Sequence, residues 1–239
     1  MTRASWYALR TGGWRDYVTL LHAPYTLWHL SYVVIGAAIA PVWLPGRLGA
    51  TLAAFALALG IGAHALDELR GRPLATRIPD ALLWALAVVS IVLAIGIGVA
   101  AAITWWPWLA AFVAFGGFIV VAYNLELFGG AFHSDLWFSV AWGAFPLLTA
   151  YAAAAETVTR AAVAAAAFAA LLSLAQRRLS TPVRTVRRRA RTVSGTVELD
   201  DGEQLPVTAE LFLRGPEEAL RALTAATIML AVALVLLRV

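Results

Sequence analysis

His64, Asp67 and Glu68 stand at i, i+3 and i+4. On a helix that spacing places an imidazole and two carboxylates on one face. Such a trio offers nitrogen and oxygen ligands to a divalent ion. A second group lies in the stretch Tyr123-Asn124-Leu125-Glu126, continuing through Gly129-Gly130 to His133-Ser134-Asp135. Glycines bend the chain there, and Ser134 or Asp135 fits the cap of the next helix. That loop holds no arginine. Glu126 and His133 therefore need a cation, or an arginine from elsewhere, as their partner. All these acidic residues sit at the ends of long apolar runs, where an ionised side chain is costly unless it faces a cavity, a partner or an ion.

Each group also has a plainer reading. Asp67 and Glu68 can reach water at a helix end and pair with Arg70 or Arg72. His22 and His29, seven residues apart, share a helix face with Tyr25 and Tyr32 nearby. They can ligate haem or a metal, or simply make internal hydrogen bonds. The turns Gly71-Arg72-Pro73 and Thr76-Arg77-Ile78-Pro79 are basic and suit an anionic ligand such as a diphosphate. The run Arg177, Arg178, Arg184, Arg187, Arg188, Arg189 and Arg191 suits anionic lipid headgroups. No aromatic platform is interleaved with it, which argues against nucleic acid.

The elements that must position these residues are membrane helices. The chain has 239 residues, 62% hydrophobic and only 13% charged, against about a quarter charged in soluble domains. There is no cysteine, so disulfides, thiolate metal sites and a cysteine nucleophile are excluded. All 18 basic residues are arginine, which excludes a lysine Schiff base. No phosphate loop, dinucleotide fingerprint, zincin helix or nucleophile elbow is present.

Seven apolar stretches are long enough to span a bilayer. They run near 17–42, 47–69, 80–102, 104–124, 134–155, 158–179 and 218–239. Trp105-Trp106-Pro107-Trp108 marks the break between the third and fourth. The N-terminal stretch reads as an uncleaved first span. With a cytoplasmic N-terminus, 15 of the 18 arginines, Arg3 among them, fall on the inner side, leaving only Arg47, Arg160 and Arg238 outside. The positive-inside rule thus predicts the N-terminus in the cytoplasm and the C-terminus outside, in a multi-pass protein of a prokaryotic cell membrane. Between Arg191 and Gly215 apolar residues alternate around Asp200-Asp201-Gly202, which predicts a small cytoplasmic β-hairpin. The expected organisation is a six-span bundle over 1–190, the hairpin over 191–215 and a seventh span over 216–239.

This layout resembles the UbiA superfamily of intramembrane prenyltransferases from about Leu21 to Leu179. Pro24 and Gly36 stand in the first span, an acidic motif and an Arg-Pro loop follow the second, and Trp142-Gly143-Ala144-Phe145-Pro146 resembles the family's fifth-span signature. The family's first motif, Asn followed by Asp four and eight residues later, here reads His64, Glu68 and Arg72. Its second Asp-rich motif is replaced by Gln176-Arg177-Arg178 through Arg184, and the family's usual nine spans are here seven.

The resemblance implies an all-α integral membrane bundle with a cavity open to the cytoplasmic face, acting on an isoprenoid lipid of prenyl diphosphate type. His64, Asp67, Glu68 and Glu126 would then be catalytic. The same four with His133 would hold a divalent metal, magnesium or another ion. Arg72, Arg77, Tyr123, Asn124, Arg178 and Arg184 would bind substrate. The partners are the lipid and the bilayer, with no nucleic acid. The alternative is a non-catalytic quinone-, haem- or lipid-binding membrane subunit on the same scaffold.

Overall fold

The computed structural model describes residues 5–239. Arg3, counted above for orientation, lies outside them. The protein is mostly helical, with one small antiparallel sheet. Among the described residues α1 (Trp14–Leu20) leads into α2 (Ala23–Ala38). α3 (Pro45–Phe55) runs through a π-helical stretch, Ala56–Ala63, into α4 (His64–Leu69). α5 (Asp80–Thr104) and α6 (Leu109–Asn124) follow. α7 (Asp135–Ser139) passes through a second π-helical turn, Val140–Ala144, into α8 (Phe145–Ala155). α9 (Arg160–Arg189) and α10 (Ala209–Leu236) complete the helices.

Five of these stretches are long and apolar enough to cross a membrane: 45–69, 80–104, 135–155, 160–189 and 209–236. α2 and α6, at 16 residues each, are shorter. The outer face of α5 is lined by exposed Val88, Val89, Val92 and Leu93, as expected of a surface bathed in hydrocarbon rather than water.

Local signals account for the boundaries. Prolines occupy the first turns of α2 and α3, where a missing N–H costs nothing, and Pro146 follows the π-helical turn as the second residue of α8. Ser134 caps α7 by accepting from the Trp137 N–H at 3.3 Å, and Thr159 caps α9 by accepting from the Ala162 N–H at 3.2 Å. α9 does not stop at Leu179 but continues through the arginine run to Arg189, because arginine is a good helix former and Pro182 lies only two turns from its end. α10 begins at Ala209, earlier than the span boundary in the sequence, and carries Pro216 within its first turns.

The strands β1 (Thr196–Glu198) and β2 (Gln204–Pro206) pair antiparallel, Val197 opposite Leu205. The turn between them contains Gly202 at φ +84°, a left-handed conformation that glycine adopts without strain.

α2 packs on α8 and α10, and α9 packs on α10 and on the turn Val140–Ala144. α5 packs on α6 and on Ala56–Ala63. Small residues allow the close approaches. Gly36 lies directly on the Leu147 carbonyl, and a Cβ on Gly143 would come 2.6 Å from the Ala169 carbonyl oxygen. Such approaches hold the two groups of helices together around their shared interior.

Candidate functional site

Among the described residues two prominent cavities open between the helices, and both π-helical stretches border them, as such bulges often do at functional sites. The first is an apolar slot of about 120 Å³ between α3, α5, α6 and α8, walled by residues such as Phe55, Ile95, Phe112 and Phe145. The second is a polar cavity of about 430 Å³ lined from α2, α4, α6, α7, α9 and the N-terminal segment. Trp142 belongs to the walls of both.

The polar cavity gathers residues that the sequence leaves far apart. His64, Asp67, Tyr123, Asn124, Glu126 and His133 all line it, so the groups from the second and fourth helical stretches meet. His22 and His29 join them, with Arg177, Arg184 and Arg188 from α9. Those arginines stand at i, i+7 and i+11, one stripe of the helix.

Glu68 does not line this cavity. It is fully buried, and its carboxylate accepts from the Leu74 N–H at 3.0 Å and from the Thr76 N–H and hydroxyl at 2.8 Å each. Arg72 is likewise turned to the connection after α4. It donates to the Ile78 carbonyl at 2.6 Å and pairs with Asp80. The Arg77 N–H donates to Asp16 at 2.9 Å, and neither Arg77 nor Arg178 lines the cavity. Arg178 pairs with Asp135 at 3.0 Å.

Most charges on the cavity wall have partners. Glu126 pairs with Arg70 at 2.7 Å and lies 4.0 Å from His133. Arg177 donates to Asp135 and to the Tyr123 hydroxyl, both at 2.6 Å. Asn124 donates back to the Val120 carbonyl at 2.7 Å. Asp67 is different: among the described residues its carboxylate takes part in no hydrogen bond or ion pair, although Arg184 and Arg188 act on it through space. Among the described residues the Arg184 guanidinium makes one hydrogen bond, to the Thr181 hydroxyl at 3.3 Å.

The imidazoles are oriented by backbone and by tyrosine. His64 Nδ1 lies 3.1 Å from the Gly60 carbonyl and His133 Nδ1 lies 3.1 Å from the Tyr123 carbonyl. A carbonyl only accepts, so in both rings Nδ1 carries a hydrogen, which leaves Nε2 of the His64 ring directed away from the backbone. His22 stacks on His64 with centroids 4.2 Å apart. Its Nδ1 is 2.7 Å from the Tyr7 hydroxyl. Burial pushes the Tyr7 hydroxyl above its ordinary value, so it stays protonated. Among the described residues four buried polar atoms at this wall have no hydrogen-bond partner: Trp6 Nε1, His22 Nε2, His29 Nδ1 and Gln176 Oε1. Buried polar groups are normally satisfied, so four such atoms at one cavity mark it as a place for a polar ligand.

Sequence reasoning did not single out Tyr7, Trp6 or Gln176, which also line the cavity. The N-terminal segment is tied across the cavity by Tyr7 and by Arg221, whose guanidinium lies 4.8 Å from the Trp6 ring. The stripe of arginines on α9 was legible as spacing, had the helix been continued past Leu179.

No family model, no curated protein and no solved structure matches this chain.

Proposed function

We propose that the protein is a divergent UbiA-like intramembrane enzyme that binds an isoprenoid diphosphate at the cytoplasmic end of a seven-span bundle and transfers or processes its chain. The observation that carries this reading is Arg184, a guanidinium on a cavity wall with no carboxylate in ion-pair contact among the described residues. With Arg177 and Arg188 it makes a cationic stripe suited to a diphosphate. The hydrocarbon chain would pass Trp142 into the apolar slot. Arginines placed at the leaving oxygens would stabilise negative charge as it develops there. Trp142, Tyr123 and Phe138 would keep water from the reacting carbon.

A divalent ion is the other counter-charge that the family resemblance implies. The donors fit it poorly. Glu68 is committed to the 74–76 backbone, Glu126 to Arg70, and the cavity carries four arginines beside one carboxylate without an ion pair among the described residues. In this reading the arginines therefore replace the metal.

The test is binding of inorganic pyrophosphate and turnover of geranylgeranyl diphosphate by the purified protein in nanodiscs. Arg184→Gln is expected to weaken pyrophosphate binding about tenfold or more. Equal affinity in the variant overturns the reading. Because His22 and His29 line the same cavity, the non-catalytic haem- or quinone-binding alternative retains one support. A Soret band in the purified protein would favour it.

A further inference from the structure

We propose that Asp67 is the seat of a cation subsite beside the arginine stripe, taking a group that bears positive charge on nitrogen or on carbon. The inference rests on the reading above for the nature of the neighbouring anion, but its own observations are independent of it.

Asp67 is a carboxylate on the wall of a 430 Å³ cavity that receives no hydrogen bond and no ion pair among the described residues. The other cavity carboxylate, Glu126, is held by Arg70 at 2.7 Å. An unpaired charge at a partly buried site is unfavourable unless something that binds there completes it. Arg184 and Arg188 act on Asp67 only through space, and the other groups around it offer acceptors and ring faces to a cation. His64, one turn before Asp67, turns its Nε2 away from the backbone because its Nδ1 hydrogen is directed at the Gly60 carbonyl. Among the described residues Gln176 Oε1 and His29 Nδ1 have no hydrogen-bond partner, and both residues are only 3% exposed. Tyr123 and Trp142, with centroids 4.4 Å apart, supply ring faces that attract positive charge, as the neighbouring Phe138 does for the Arg177 guanidinium at 5.2 Å.

Asp67 and Arg184 thus give the cavity two poles. A ligand with a diphosphate and an adjacent cationic centre would satisfy both. Two sources supply such a centre. One is a stable ammonium. The other is the allylic carbon of a prenyl diphosphate during heterolysis, when the C–O electron pair leaves with the diphosphate oxygen and carbon becomes positive. A carboxylate opposite the arginines would stabilise that carbon without bonding to it.

The experiment uses the full chain in phosphatidylcholine nanodiscs, with geranylamine as the cationic probe and geraniol as its neutral match, each measured with and without inorganic pyrophosphate. The wild type is expected to prefer geranylamine. Asp67→Asn should remove that preference, by roughly thirtyfold in affinity, while its pyrophosphate affinity shows that the fold is intact. Asp67→Glu should restore part of it. A preference seen only with pyrophosphate present identifies the transferring carbon, and one seen without it identifies a cationic ligand. Equal binding of amine and alcohol by the wild type, or an unchanged preference in Asp67→Asn, overturns the inference. If geranylamine binding depends on Asp67 but pyrophosphate does not bind at all, the cation subsite stands and the diphosphate reading fails.

Discussion

The connection after α4 and the cavity beside it are separated by a single peptide bond, and they treat charge in opposite ways. In and beside the connection Glu68, Arg72 and Asp16 are saturated. Glu68 accepts three hydrogen bonds from Leu74 and Thr76, Asp16 accepts from the Gly12 and Arg77 N–H groups at 2.8 and 2.9 Å, and Arg72 is bound to the Ile78 carbonyl and to Asp80. Across the helix the Asp67 carboxylate takes part in no hydrogen bond or ion pair among the described residues. Successive residues on a helix are rotated by about 100°, so adjacent carboxylates can face different surroundings. The saturated side builds a rigid turn. The unsaturated side keeps a charge available for binding, at a cost in stability that functional sites commonly carry.

The largest effect should come from breaking the saturated side. Glu68→Ala would leave two buried N–H groups and a hydroxyl without acceptors, and should destabilise the protein by about 3 kcal/mol or more. Glu68→Gln keeps one acceptor oxygen and should lose roughly half as much. The readout is the temperature at which monodisperse protein is lost in detergent. A shift no larger than that of a surface variant would mean that Glu68 does not organise the turn.

Asp16→Ala removes the tie between the N-terminal segment and the 71–79 connection. Asp16 is 3% exposed, and about 2 kcal/mol should be lost with its two N–H partners. Hydrogen exchange at the Arg77 amide should quicken while the amides of α5 stay protected. Uniform quickening would show that the connection unfolds only with the whole bundle.

Asp67→Asn carries the opposite sign. Removing an unpaired carboxylate from a cavity wall should raise stability by about 1 kcal/mol even as cation binding falls. A loss of stability would place Asp67 with Glu68 among the saturated groups, and the contrast between the two sides would disappear.

Much of this architecture was legible in the sequence, for definite reasons. Five of the seven apolar stretches contain helices long and apolar enough to cross a membrane, because burial in hydrocarbon leaves little choice but a helix. The hairpin was legible from alternation around Asp201-Gly202. The allocation of charges was less so. Helical spacing placed His64, Asp67 and Glu68 on one face, but it cannot see the 73–76 backbone folding back onto Glu68. Nor does a run of arginines reveal which of them face inward. Only the continuation of α9 past Leu179 turns Arg177, Arg184 and Arg188 into one stripe. The cavity role of Tyr7 depends on a contact with His22 fifteen residues away, and local pattern does not encode it.

Arg70 gives the smallest and sharpest test, because it belongs to both regions. It stands at the start of the connection, yet its partner Glu126 lines the cavity. Both side chains are nearly half exposed, at 49% and 43%, so the pair itself should contribute less than about 1 kcal/mol. Arg70→Ala should therefore barely change the unfolding temperature. It would, however, leave Glu126 as a second carboxylate without an arginine at the cavity mouth. Geranylamine affinity should then rise by roughly threefold, an effect that moderate salt would erase. A loss of 2 kcal/mol or more, with no gain in cation binding, would show instead that Arg70 and Glu126 belong to the rigid turn, and that the boundary between the two regions lies inside the cavity rather than between Asp67 and Glu68.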